Sequence, residues 1–254
     1  MTNAAERVEI DAASFDAAIF DMDGVITQTA TVHAEAWKRL FDTYRSERVR
    51  RGQPAFQPFD PDEDYRLYVD GRPRYDGVRA FLASRSITLP PGDPTDPPGS
   101  ETVCGLGNAK DTYFWERIHR DGVQTYASTL ALIRQMKERA LRVGVFSASR
   151  NAAAILQTAR VLDLFDQKVD GTDSERLGLR GKPDPAMLLE LARRLGADPR
   201  RTIVFEDAIA GVEAGRAGGF GLVIGVNRKA ETGELLERGA DREVRDLSEI
   251  AFSG

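Results

Sequence analysis

The chain is poor in the residues that build disulfide, zinc and redox chemistry. Its 254 residues include one cysteine, Cys104, and two histidines, His33 and His119. A single cysteine excludes an intrachain disulfide and a cysteine-rich zinc site, and Cys104 reads as a small apolar side chain. Long hydrophobic runs are missing as well. Phe220 to Val226 is among the longest, far short of the roughly 20 apolar residues of a membrane-spanning helix. Residues 1–10 carry Glu6, Arg7 and Glu9 and lack the apolar centre of a signal segment. A cytoplasmic location is therefore expected. Neither sign of charge dominates, with 35 Lys and Arg against 40 Asp and Glu. That diffuse acidic balance argues against nucleic acid or an anionic membrane as partner, since both need concentrated positive charge. It leaves room for a small basic pocket that holds a phosphorylated metabolite.

What is present is a repeated local pattern. Ala17–Phe20 is a short apolar run that ends in Asp21-Met22-Asp23-Gly24. Val143–Phe146 runs into Ser147-Ala148-Ser149-Arg150, and Thr202–Phe205 runs into Glu206-Asp207. Each reads as a buried strand that opens into a polar turn, and Leu222–Val226 is a fourth strand candidate. Helical spacing lies between them: Leu130, Ile133 and Met136; Ile155, Leu156, Ala159 and Leu162; Leu188, Leu189, Ala192 and Leu195. Pro185 opens the last of these helices and Gly196 closes it. Strands alternating with helices imply an α/β fold, a Rossmann-like parallel sheet covered on both faces. Ligands of such sheets bind at the carboxyl ends of the strands, where all three polar clusters fall.

The stretch 29–122 reads differently. It has no clear apolar strand, a helix candidate over Ala34–Tyr44, an arginine-rich run over Arg45–Arg51, and a loop at Leu89–Gly99 that holds five of the twelve prolines. The expected organisation is an α/β core formed by 1–28 and 123–254, with a mostly helical domain, 29–122, inserted after the first strand. Asp60, Asp62 and Asp64 imitate the start of a calcium loop, but Tyr65 and Gly71 stand where glycine and glutamate are needed.

Asp21 and Asp23 are two apart on an extended segment, so both face one side. Paired carboxylates repel unless one is protonated or a cation joins them. Glu206 and Asp207 bring acidic oxygens to the same rim, a donor set suited to Mg²⁺. Lys182, in Gly181–Pro185 where two prolines stiffen the backbone after it, supplies a fixed ammonium. Ser147 supplies a hydroxyl beside a helix start. Together these are parts for phosphoryl transfer to a carboxylate nucleophile.

These segments resemble the haloacid dehalogenase (HAD) superfamily. Asp21–Val25, Ser147, Lys182 and Glu206-Asp207 occur in that superfamily's order, with a helical cap domain inserted after the first motif. DMDGVITQTATVH from Asp21 to His33, SASRN from Ser147 to Asn151, and FEDAIAGVEAG from Phe205 to Gly215 are most similar to its β-phosphoglucomutase-like subfamily. The resemblance implies that Asp21 is the nucleophile and Asp23 the general acid and base. It implies Mg²⁺ held by Asp21, Asp23 and Asp207, with Glu206 beside them, and the transferring phosphate held by Ser147 and Lys182. Thr29 would lie at the cap hinge and His33 near the general acid. Arg74 would bind phosphate from the cap and Lys110 would contact sugar, while Ser149, Arg150 and Asn151 would hold a distal phosphate. The implied partner is a small sugar phosphate, and a monomer is expected. Arg150 stands where these enzymes commonly have lysine, Gln28 where aspartate is usual, and the cap is longer through its proline-rich loop. The favoured expectation is a mutase that moves phosphate between two positions of a hexose. A phosphatase shares the same core motifs, and the cap is expected to decide between the two. A non-catalytic sugar-phosphate-binding protein is disfavoured because no core catalytic position is lost.

Overall fold

A computed structural model describes residues 7–228 and 233–253. The chain starts with β1 (Val8–Asp11) and β2 (Ala17–Asp21), then forms the helices α1 (Thr29–Arg50), α2 (Arg74–Ser84) and α3 (Val103–Asp121). It continues through α4 (Ala127–Glu138), β3 (Arg142–Phe146), α5 (Ala152–Thr158), β4 (Gln167–Val169), α6 (Gly171–Leu177) and α7 (Ala186–Leu195). It ends with β5 (Thr202–Glu206), α8 (Ile209–Ala217), β6 (Leu222–Val226), α9 (Glu234–Glu237), β7 (Arg242–Val244) and β8 (Ile250–Ser253). Two compact units result: residues 1–28 with 124–254, and residues 29–123.

The first unit holds a six-stranded sheet in the order β4-β3-β2-β5-β6-β7, with every pair parallel. The chain builds outward from β2 to one edge, then returns to β5 and builds outward to the other. The order therefore reverses between β2 and β5, the place where a crevice opens at the strand ends. In β2, Ala17 to Phe20 are fully buried, as a central strand covered on both faces requires. Ala17 pairs with Thr202 and Phe20 with Phe205, whose rings stack at 4.5 Å. The register brings Asp21 opposite Phe146 on the other side.

Helix α7 shows how the covering works. Met187, Leu188, Leu191, Ala192 and Leu195 are buried at i, i+3, i+4 and i+7 spacing, and each large side chain contributes about 1.5–3 kcal/mol on burial. Leu189, expected in this stripe, is exposed, because Met187 and Leu191 lie nearer the helix's inner face. Gly196 ends the helix in the left-handed conformation, as expected. Helix α5 stops at Thr158, and Leu162 belongs to a separate short turn. β1 and β8 form a small parallel sheet of their own.

The second unit is helical, and its core is aromatic. Trp37, Phe41, Phe59 and Phe81 are buried together, with Phe41 stacked between Trp37 and Phe59. Helix α1 runs the full length Thr29–Arg50, longer than the Ala34–Tyr44 stripe suggests. The added C-terminal residues carry most of the arginine run, with Arg45 donating to the Phe56 carbonyl, and Arg51, just past the helix, pairs with Glu101. Among the described residues no helix is long and apolar enough to cross a membrane.

Candidate active site

In the α/β unit the acidic residues meet at the reversal point. Asp21 closes β2 and Glu206 closes the adjacent β5, so the parallel register alone sets them side by side. Both are buried. Lys182, itself buried, lies between them: its Nζ is 2.5 Å from Asp21 Oδ1, 3.1 Å from Glu206 Oε1 and 3.0 Å from Glu206 Oε2. Glu206 Oε1 also accepts the Ala208 amide at 3.1 Å. Lys182 Nζ sits 4.3 Å from the Phe146 ring centroid, an apolar wall with a favourable quadrupole.

The electrostatics follow from this crowding. Burial, then the Glu206 charge, raise the Asp21 pKa well above the carboxylate range, and Lys182 only partly opposes them. Burial also raises Glu206 against the pull of Lys182. Burial disfavours the Lys182 ammonium, but Asp21 and Glu206 override it and raise its pKa, so it stays charged. One ammonium thus serves more carboxylates than it can neutralise.

Oxygens of Asp21, Glu206 and Asp207 all come within 4.8 Å of one another. Hard oxygen donors, a deficit of positive charge and the half-open Asp207 fit a divalent cation. Glu206 is the least suited of the three as a direct ligand, because both its oxygens already accept hydrogen bonds from Lys182.

The loop after β2 turns tightly. Gly24 adopts φ +83°, and a Cβ there would be strained and would displace the Asp207 carboxylate. Asp23 lies in this turn, and Ser147 Oγ, at the end of β3, stands 3.5 Å from its Oδ2. Ser147 Oγ accepts the Ser149 amide at 3.1 Å, and Ser149 Oγ accepts the Asn151 amide at 3.1 Å. The SASRN loop is therefore held by its own hydroxyls ahead of α5. Arg150 is exposed, with Glu175 as a loose partner at 3.5 Å. Gly211 was not singled out from sequence. A Cβ at that position would overlap the Glu206 carboxyl, so glycine there makes the space that lets Glu206 reach Lys182. Its signal was the glycine five residues beyond an acidic strand end.

In the helical unit, Lys110 Nζ meets His33 Nδ1 at 2.5 Å, linking α3 to α1. Lys110 is buried, and its ammonium lies 4.9 Å from the Phe114 ring and 5.3 Å from Trp37. His33 stacks on Phe114 at 4.3 Å. Arg74 opens α2 and pairs with Asp111 at 2.9 Å on the neighbouring α3. Its guanidinium also lies 5.1 Å from the Tyr75 ring, leaving further N–H groups of the fork for other acceptors. Thr29, the first residue of α1, is buried. The Asp60 loop closes on itself: Asp60 caps Asp62 and Glu63, and Asp64 pairs with Arg85 at 2.6 Å.

Residues 15–219 match the family model of the haloacid dehalogenase-like hydrolases. A β-phosphoglucomutase of Mycobacterium tuberculosis is 44% identical over 92% of this chain and 90% of its own length. One of Bacillus subtilis is 32% identical over 93% of this chain and 92% of its own. The crystal structure of a β-phosphoglucomutase from Clostridium difficile superposes with a TM-score of 0.69 at 24% identity, covering 92% of both chains. That likeness concerns the fold.

Proposed function

Since this chain belongs to the haloacid dehalogenase-like hydrolase family, we propose that it is a Mg²⁺-dependent phosphotransferase acting on a sugar phosphate. The reaction proposed is the conversion of β-glucose 1-phosphate to glucose 6-phosphate through an aspartyl phosphate. The observation that carries the reading is the buried Asp21–Lys182–Glu206 chain at the switch point, taken with close relatedness to β-phosphoglucomutases along nearly the full length.

Asp21 attacks the phosphorus; a P–O bond forms to its carboxylate as the bond to the leaving sugar oxygen breaks. Asp23 gives that oxygen its proton, and in the reverse sense takes one from the hydroxyl that accepts the phosphoryl group. Lys182 opposes the protonation that burial favours at Asp21, a task the cation would complete, and neutralises charge growing on the phosphoryl oxygens. Ser147 Oγ donates to the same group. Glu206 acts through Lys182 by fixing its ammonium. Mg²⁺ would be held by Asp21, Asp207 and the Asp23 segment, and supplies charge neutralisation between nucleophile and phosphate. On the helical unit Arg74 is proposed as a phosphate contact and Lys110 and His33 as sugar contacts; on the α/β unit Ser149, Arg150 and Asn151 are proposed to hold a second phosphate. The chain is proposed to work as a cytoplasmic monomer.

Phosphorus NMR tests the proposal on protein mixed with Mg²⁺, β-glucose 1-phosphate and a trace of the 1,6-bisphosphate. Glucose 6-phosphate is the expected product. Release of inorganic phosphate alone would make the protein a phosphatase, and no change in either signal would leave it a binding protein.

A further inference from the structure

The turn that follows the nucleophile is held from outside by three successive carbonyls. Gly24 O accepts Arg228 Nε at 3.1 Å, Val25 O accepts Thr129 Oγ1 at 2.7 Å, and Ile26 O accepts the Tyr126 amide at 3.0 Å. Thr129 is fully buried on α4. Arg228 comes just after β6, so the clasp draws on two elements that carry none of the motif residues.

Arg228 is itself held rigidly. Its guanidinium lies over the Tyr126 ring, 3.4 Å from the centroid. Nη1 donates to Asp246 Oδ2 at 2.7 Å, and that oxygen also accepts Ser128 Oγ at 2.8 Å. Asp246 Oδ1 in turn accepts the Ser248 amide at 2.9 Å. A planar fork stacked on one side and paired at Nη1 keeps its Nε–H in a fixed direction. Here that N–H points at the Gly24 carbonyl.

Gly24 is also the residue on which the Asp207 carboxylate rests, with no room for even a methyl group between them. A shift of Gly24 therefore moves the surface that fixes Asp207. It also moves Asp23, one residue earlier.

We propose that Arg228 is a positioning residue for the metal-binding carboxylates: its hydrogen bond to Gly24 O sets the turn against which Asp207 is aligned. The inference rests on the proposed metal-dependent reading of the site, and it does not depend on which phosphate ester is the substrate. Groups that orient metal ligands from behind typically govern affinity by about 10–100-fold.

The test reads metal binding directly. Mn²⁺ is titrated into the full-length protein and followed by electron paramagnetic resonance, with circular dichroism to verify folding. Arg228→Gln should weaken Mn²⁺ about tenfold and raise the Mg²⁺ needed for half-maximal turnover by a similar factor. The KM for sugar phosphate at saturating Mg²⁺ should stay within about twofold, because the residue acts on the ligands and not on the sugar. Arg228→Lys keeps the charge and one donor but loses the fork, and should fall between wild type and Arg228→Gln. If Arg228→Gln does not fold, Asp246→Asn, which weakens the partner that holds the Arg228 fork, should weaken Mn²⁺ by a smaller factor. Unchanged Mn²⁺ affinity in folded Arg228→Gln, or in its Asp246→Asn substitute, overturns the proposal. A wild-type protein that makes no glucose 6-phosphate yet binds Mn²⁺ more tightly than Arg228→Gln sinks the mutase reading and leaves this one standing.

Discussion

Lys182 Nζ lies 2.5 Å from Asp21 Oδ1 in a buried site, with Glu206 closing on the same ammonium from the other side. Removing the cation leaves two carboxylates buried and facing each other. Lys182→Met should therefore destabilise the fold by about 3–5 kcal/mol, read as a lower urea midpoint at unchanged slope. The loss should shrink in acid, where the carboxylates can take up protons. Wild-type stability in Lys182→Met at neutral pH would mean that water screens the group.

Asp21→Asn should behave in the opposite way. The amide removes one of the mutually repelling charges, and Lys182 keeps Glu206 as partner, so stability should match or exceed wild type. Turnover should drop by at least about 10³-fold, since the covalent route is gone. Near-normal turnover of well-folded Asp21→Asn would remove Asp21 as nucleophile.

Metal dependence should be complete and reversible. A cation bound by few carboxylates plus phosphate is weak enough for a chelator to remove. EDTA treatment should abolish activity and added Mg²⁺ restore it, and Asp207→Ala should need much more Mg²⁺ for the same rate. Full activity after exhaustive chelation would refute the cation site.

Arg74 separates a phosphate clamp from a structural ion pair. It already bonds Asp111, so Arg74→Ala tests whether its remaining donors matter. Sugar-phosphate isomerisation should fall about 10²-fold, consistent with charge-assisted hydrogen bonds of roughly 1.5–3 kcal/mol each. Acetyl phosphate, which has no second phosphate, should be turned over nearly as before. Equal loss on both substrates would assign Arg74 to folding alone.

Asp173 gives a pH signature. Burial alone would raise its pKa, but Arg194 at 2.9 Å and Arg176 at 2.8 Å override it and hold the carboxyl well below the usual range. Its folded pKa is thus lower than its unfolded value of about 3.9. The stabilisation is present above that value and is lost as pH falls through it towards the folded pKa. Asp173→Asn should lower the melting temperature at pH 7 and flatten its decline below about pH 4. An unchanged acid-melting curve would count against the pairing.

The three central strand ends were legible because apolar runs switch abruptly to polar turns there, and parallel topology then forces Asp21, Ser147 and Glu206 to one rim. The edge strands β4 and β7 were not, since Gln167–Val169 and Arg242–Val244 are three residues long and mostly polar. The role of Glu206 as anchor for Lys182 was also hidden. The two residues are 24 apart in sequence, and only the return of the chain to β5 sets them face to face. Arg228 and Thr129 left no trace because an arginine in a polar loop and a threonine in a helix are ordinary residues. What distinguishes them is which carbonyl they meet.

The chain leaves the α/β unit and re-enters it through one narrow seam. Gln28 N donates to Gln124 O at 2.9 Å, and Thr27 bridges Thr125 beside it. The distance between exit and return is therefore fixed by the sheet unit itself, whatever lies between. Loop-closure entropy grows only slowly with length, by about 0.6 kcal/mol for each doubling. The sheet unit therefore bears only a small entropic cost for the length of the segment it closes. The proline-rich stretch at Leu89–Gly99 lies within that intervening segment, where added length costs the sheet unit little.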